Sequence, residues 1–72
     1  MGSDLALLDV VALASDQPEH GLRRGQSGTV VEQGADGVFI VEFSDGEGRT
    51  IALPYLRAEQ LTTVWRAPSR GT

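Results

Sequence analysis

The chain contains no cysteine and no lysine, and His20 is its only histidine. Without cysteine, disulfides, zinc ribbons and thiol redox chemistry are excluded. With one histidine, a tetrahedral zinc ion would have to be completed by carboxylates alone, outside the usual donor sets. No apolar run approaches the roughly 18–20 residues that a membrane-crossing helix needs. The N-terminus lacks the basic and apolar regions of a secretory signal. Gly2 does not begin a myristoylation signal, because Ala6 stands where a hydroxyl residue is required. The location expected from these absences is cytoplasmic, with no membrane contact. Met1-Gly2-Ser3 reads as a remnant of recombinant expression.

Positive charge is also scarce. Six arginines face ten acids, for a net charge of −4. Binding nucleic-acid phosphates needs a cationic face, so a nucleic-acid partner is not expected, and an acidic module suits a basic partner. At 72 residues the chain makes one domain. A core of this size supplies no more than about 3–5 kcal/mol of net stability. With disulfides excluded and a structural zinc site not expected, the remaining support is self-association or a permanent partner.

What the chain does have is glycine, nine residues of it, punctuating short apolar runs. Gly25 to Phe43 reads as two β-strands, Thr29 to Gln33 and Val38 to Ser44, around Gly34-Ala35-Asp36-Gly37. Asp-Gly is a hairpin signal, and both glycines are free to take positive φ. Phe39, Val41 and Phe43 alternate onto one face, which places them inward and leaves Val38 and Ile40 outward. Ser44 to Gly48 is a second turn, followed by a strand from Arg49 to Leu53 that Pro54 ends. Leu61 to Arg66 forms the last strand. The composition of Asp4 to Ala14 also fits a helix, but Val10-Val11 and a nearly continuous apolar run favour a strand from Leu8 to Leu13.

Between these, Ser15 to Arg24 is a polar loop broken by Pro18 and Gly21, with Leu22 plugging one end of the fold. Tyr55 to Gln60 has the composition of one helical turn. The expected fold is therefore all-β: a small five-stranded SH3-like antiparallel barrel with a short helical turn before the last strand. The barrel should span residues 7–66, between a disordered or tag-derived segment 1–6 and a flexible tail 67–72.

No catalytic constellation is present, and the chain is not expected to be an enzyme. Ser15, Asp16 and His20 share one loop without the geometry of a triad. Asp45-Gly46-Glu47 supplies too few oxygens for calcium. Gly25-x-x-Gly28 precedes a strand rather than the helix N-terminus that phosphate binding uses, so these glycines permit sharp bending. No cofactor is expected. Arg23-Arg24, with Arg49, is a possible anion contact, set against an ordinary exposed loop that balances nearby acids. Tyr55 and Trp65 either form an exposed partner surface or cap the barrel. Val38 and Ile40 make an outward apolar stripe, the expected centre of a partner-binding surface with Tyr55 and Trp65 at its margins.

Leu8-Asp9-Val10-Val11, Pro18-Glu19, Gly21 to Gly25, Gly28-Thr-Val-Val-Glu32 and Arg57-Ala-Glu-Gln-Leu61 together resemble a family of small bacterial SH3-like proteins described only as a domain of unknown function. The resemblance covers Leu7 to Val64 and departs at Gln33 and Ile40, where an apolar and a polar residue respectively would be expected. It implies the fold and a bacterial origin, and it carries no site residues. A looser likeness to KOW-type segments of ribosomal and transcription proteins implies RNA or protein contact. The expected function is a non-catalytic protein-interaction module, either the accessory or antitoxin-like half of a protein pair or a self-assembling homo-oligomer. The alternative is a KOW-like RNA- or ribosome-associated protein using Arg23, Arg24 and Arg49.

Overall fold

In β3, Val38–Ser44, the buried residues Phe39, Val41 and Phe43 alternate with half-buried ones and the strand ends on an exposed Ser44. The computed structural model describes residues 5–68, and β3 is the strand of its sheet that pairs with three others. On one side β3 pairs with β2, Ser27–Gln33; on the other it pairs with β4, Thr50–Ala52, and β5, Tyr55–Arg57. Beyond β2 lie β1, Val10–Leu13, and then β6, Leu61–Trp65. All pairings are antiparallel. The only helical pieces among the described residues are 3-10 turns at Pro18–His20 and Ala58–Gln60.

The all-β antiparallel class and the short helical turn before the last strand are as expected. Strand number and closure differ. There are six strands, and their ladder is an open sheet whose terminal strands do not pair with each other. The extra strand is Tyr55–Arg57, which composition assigned to a helical turn. Leu56 lies directly opposite Phe39 and is buried in the core beside it, which requires an extended backbone with Tyr55 and Arg57 turned outward. Only Ala58–Gln60 coils.

The hairpin between β2 and β3 turns at Asp36 (φ 61°) and Gly37 (φ 74°), with the Val38 amide donating to the Ala35 carbonyl at 3.3 Å. Positive φ at both central residues is the type I′ requirement. Asp36 supplies the first, and Gly34 does not take part in this way. Within β2, Gly28 is buried because β3 passes directly over it. Leu22 enters the core, as expected, from a loop closed by a two-way backbone bridge between Gln17 and Leu22.

The first strand begins at Val10 rather than Leu8, because Leu8 adopts a left-handed backbone (φ 73°). A buried carboxylate organises this region. Asp9 Oδ2 accepts the Ala6 amide at 3.0 Å, and Oδ1 accepts the Ala67 amide at 2.8 Å. Leu5 packs in the core, and its carbonyl accepts the Gln33 side-chain amide. The packed part of the chain therefore reaches Leu5 and Ala67, beyond the expected limits of 7 and 66. Met1-Gly2-Ser3 and the end of the expected tail lie outside the described residues. Replacing Asp9 by alanine orphans both amides, and a loss of about 2 kcal/mol is expected in urea unfolding. A variant as stable as the parent would show that water replaces the carboxylate at no cost.

Candidate functional site

On the outer face of β3, Ile40 is flanked directly by Tyr55 of β5 and Glu32 of β2, and Val38 by Arg57. An irregularity between Val30 and Glu32 leaves Val31 as an extra residue, which brings Glu32 onto this face. Val38 and Ile40 are half-buried, while Tyr55 is 70% exposed. Of the four residues expected to form the partner surface, the structure thus unites Val38, Ile40 and Tyr55, with the tyrosine the most open.

Trp65 stands apart. It pairs with Val10 on β1 and is 53% exposed. Strands β1 and β2 separate it from β3, three strand spacings or roughly 14 Å along the sheet. The far edge of β6 has no strand partner among the described residues. A register shift against β1 at Val64 interrupts that edge, which limits its use as a template for another strand.

A second feature adjoins Tyr55 and escaped the sequence reading. Glu19 and His20, on the first 3-10 turn, face Ile51, Ala52, Leu53, Pro54 and Tyr55 across an open groove of about 490 Å³. Ile51 is 50% exposed and Leu53 is 53% exposed. Their exposure has a local cause. Ala52 pairs with Phe43 and packs against the core, so its neighbours point away. Ile51 sits at a break in register between β3 and β4. The Pro54 carbonyl then accepts the Val41 amide at 3.2 Å, holding the corner against β3. The signal available in the sequence was the Ile-Ala-Leu-Pro-Tyr run itself, in which one small residue separates two large ones.

The groove holds one imidazole, one carboxylate and one phenol, and no aliphatic hydroxyl nucleophile. Asp16 Oδ1 accepts the Arg24 amide at 2.8 Å. Among the described residues no group of three or more His, Cys, Asp or Glu side chains is arranged to hold a metal ion. No helix among them is long and apolar enough to cross a membrane.

The three arginines considered as anion contacts are not equivalent. Arg49 is engaged by Asp45 at 3.1 Å and by Glu47 at 3.1 Å, so its charge is already opposed twice within its own turn. Arg23 and Arg24 are exposed in the first loop. Asp45 organises its turn as an acceptor, with Oδ1 taking the amides of Glu47 at 2.8 Å and Arg49 at 2.9 Å. The Arg49 amide first, and then that of Glu47, hold its carboxyl below the ordinary aspartate value. Because the folded value is the lower one, the turn's contribution is present above the unfolded-state pKa and is lost as pH falls through the folded one. An NMR titration should find Asp45 titrating below an aspartate in a short peptide. An unshifted midpoint would mean that these bonds do not persist in solution.

The family described as Domain of unknown function (DUF4926) matches residues 7–63. The chain belongs to this family. Membership agrees with the resemblance seen in the sequence, which covers Leu7 to Val64, and the DUF4926 match says nothing of SH3-like or KOW-type proteins. No curated protein matches the chain, and no solved structure does.

Proposed function

We propose that this DUF4926 chain is a non-catalytic protein-interaction module of the bacterial cytoplasm. It would serve as the accessory or antitoxin-like half of a protein pair, or assemble with itself. The observation that carries the reading is the Ile40–Tyr55 cross-strand pair, which sets an exposed aromatic ring beside an apolar strand position on an uncovered sheet face. Tyrosine is enriched where protein surfaces bind one another, because it combines apolar area with a polar tip. Trp65 lies too far along the sheet to share one small contact with this pair, and it is left out of the surface.

The alternative, an RNA- or ribosome-associated binder using Arg23, Arg24 and Arg49, is the weaker reading. One of its three cations is held by two carboxylates, and the chain carries an overall negative charge.

The test is capture of partners from the native host, read by mass spectrometry, alongside size-exclusion chromatography with light scattering. Ile40→Glu should abolish the captured partner or convert an oligomer to a monomer. A parent that is already monomeric removes the self-assembly branch. A partner retained undiminished by both Ile40→Glu and Tyr55→Ala removes the surface altogether.

A further inference from the structure

Residues 5–8 read Leu-Ala-Leu-Leu, a short apolar arm without charge whose two ends are placed in opposite ways. Leu5 is buried in the core, and its carbonyl accepts the Gln33 side-chain amide at 2.9 Å. Leu7 is 50% exposed and Leu8 is 62% exposed. Between Leu5 and β1 the chain reverses in a four-residue turn, the Asp9 amide donating to the Ala6 carbonyl at 3.1 Å. Leu8 is the third residue of that turn, and its φ is 73°.

A third turn position with positive φ is one that type II turns give to glycine or asparagine. For a residue with a Cβ, the left-handed backbone is disfavoured about tenfold. Among the described residues the other non-glycine with positive φ is Asp36, a type that tolerates it. The turn at Leu8 therefore strains a leucine where glycine fits, and leaves two leucines in water where polar residues are usual. Both faults fall at the hinge of the arm. Short connections under strain invite the exchange of an element between copies of a chain.

The structure itself supplies the occupant of the site such an exchange would fill. Leu5 sits in the core, Gln33 holds its carbonyl, and Asp9 Oδ2 accepts the Ala6 amide at 3.0 Å. Each of these contacts runs from the arm to the body, so the identical arm of a second copy remakes all of them. Four extended residues reach only about 13 Å, which obliges the two bodies to meet at their hinges. Exposed apolar side chains already stand there. Besides Leu7 and Leu8, Val31 is 38% exposed and follows Val30, whose carbonyl accepts the Leu8 amide at 2.7 Å.

We infer that two copies of this chain exchange residues 5–8 about Leu8, each Leu5 entering the other's core while Leu7 and Leu8 close the junction. This goes beyond the interaction-module reading, because the contact uses none of Val38, Ile40 and Tyr55.

The test is sedimentation equilibrium of the 72-residue chain, from about 10 µM to about 1 mM. The parent should show a reversible monomer–dimer equilibrium. Leu8→Gly removes the strain at both hinges, so the dimer dissociation constant should rise about a hundredfold, tenfold for each copy. Leu8→Val keeps an apolar side chain but branches it at Cβ, which suits a left-handed backbone worse than leucine. It should lower the constant. In dimers mixed from isotope-labelled and unlabelled chains, filtered NOE spectra should connect the Leu5 methyls of one copy to core residues of the other. Circular dichroism verifies that the variants remain folded.

A parent that stays monomeric throughout overturns the inference, as do dimers in which Leu5 makes no contact with the other copy. Shifts of the same sign in Leu8→Gly and Leu8→Val overturn it too. A dimer abolished by Ile40→Glu and lacking the Leu5 contacts also overturns it, and leaves the interaction-module reading intact. Exchange that proceeds unchanged in Ile40→Glu supports it, whatever becomes of that reading.

Discussion

Phe43→Ala is expected to unfold this protein under ordinary conditions. Phe43 is completely buried at the end of β3, in one cluster with Val11, Leu13, Val30, Val41 and Leu56. Truncating a buried phenylalanine costs about 3–5 kcal/mol, through lost transfer free energy and the cavity left behind. The core of a domain this small supplies no more than about 3–5 kcal/mol in total, so the deficit equals the whole margin. Urea titration followed by far-ultraviolet circular dichroism should show no cooperative transition for the alanine variant. Phe43→Leu, which retains most of the volume, should keep a transition displaced by about 1.5 kcal/mol. An alanine variant within about 1 kcal/mol of the parent would mean that the cluster is not the seat of stability.

The second large effect is expected at Gly28. A Cβ added there would lie 2.7 Å from the Glu42 carbonyl oxygen, 2.9 Å from a Val41 methyl and 3.0 Å from the Phe43 ring. The oxygen belongs to the backbone of β3, so it yields only if the β2–β3 pair opens. Overpacking of this kind costs typically 1–3 kcal/mol and occasionally more. We expect Gly28→Val at or above the upper end, with accelerated hydrogen exchange along Val38–Ser44.

Gly25 provides the contrast. Its φ is +89° and a Cβ would meet no atom within 4 Å. Gly25→Ala should therefore cost only the backbone penalty, about 1–2 kcal/mol. Equal losses at the two glycines would argue against close strand approach as the reason for Gly28.

These two positions also show how much could be read from the chain alone. Period-two alternation in Val38–Ser44 identified Phe39, Val41 and Phe43 as inward, because a strand covered on one face leaves no other place for two phenylalanines. Asp36-Gly37 located the hairpin for an equally local reason, and Leu22 was recognised as the one apolar residue of its loop. The local pattern around Gly28 points only to bending of the strand. Its closest constraint is the approach of β3, a contact across the sheet that no local pattern encodes. The composition of Tyr55 to Gln60 permits a helical turn, and pairing of Tyr55–Arg57 with Val38–Ile40 overrides that preference in its first half.

The candidate surface divides along the same line. Alternation placed Val38 and Ile40 outward without showing that neighbouring strands half-bury them. The sequence sets Tyr55 only at the margin of this stripe, and the register of β5 makes it the direct neighbour of Ile40. Trp65 looked equivalent as an aromatic residue near the end of the chain, yet strand order puts two strands between it and β3. The groove under Glu19 and His20 had no signature, since it joins residues more than thirty positions apart through the folding of a polar loop onto the β4–β5 corner.

By itself, then, the sequence determined the all-β class, the central hairpin, the inward phenylalanines and the exclusion of disulfide chemistry, all consequences of residue type or short-range periodicity. The tertiary structure decided which exposed groups share a face, where the ladder stops and which glycine is crowded. Those depend on strand order and register, which arise from burial across the whole sheet rather than from any local run of residues.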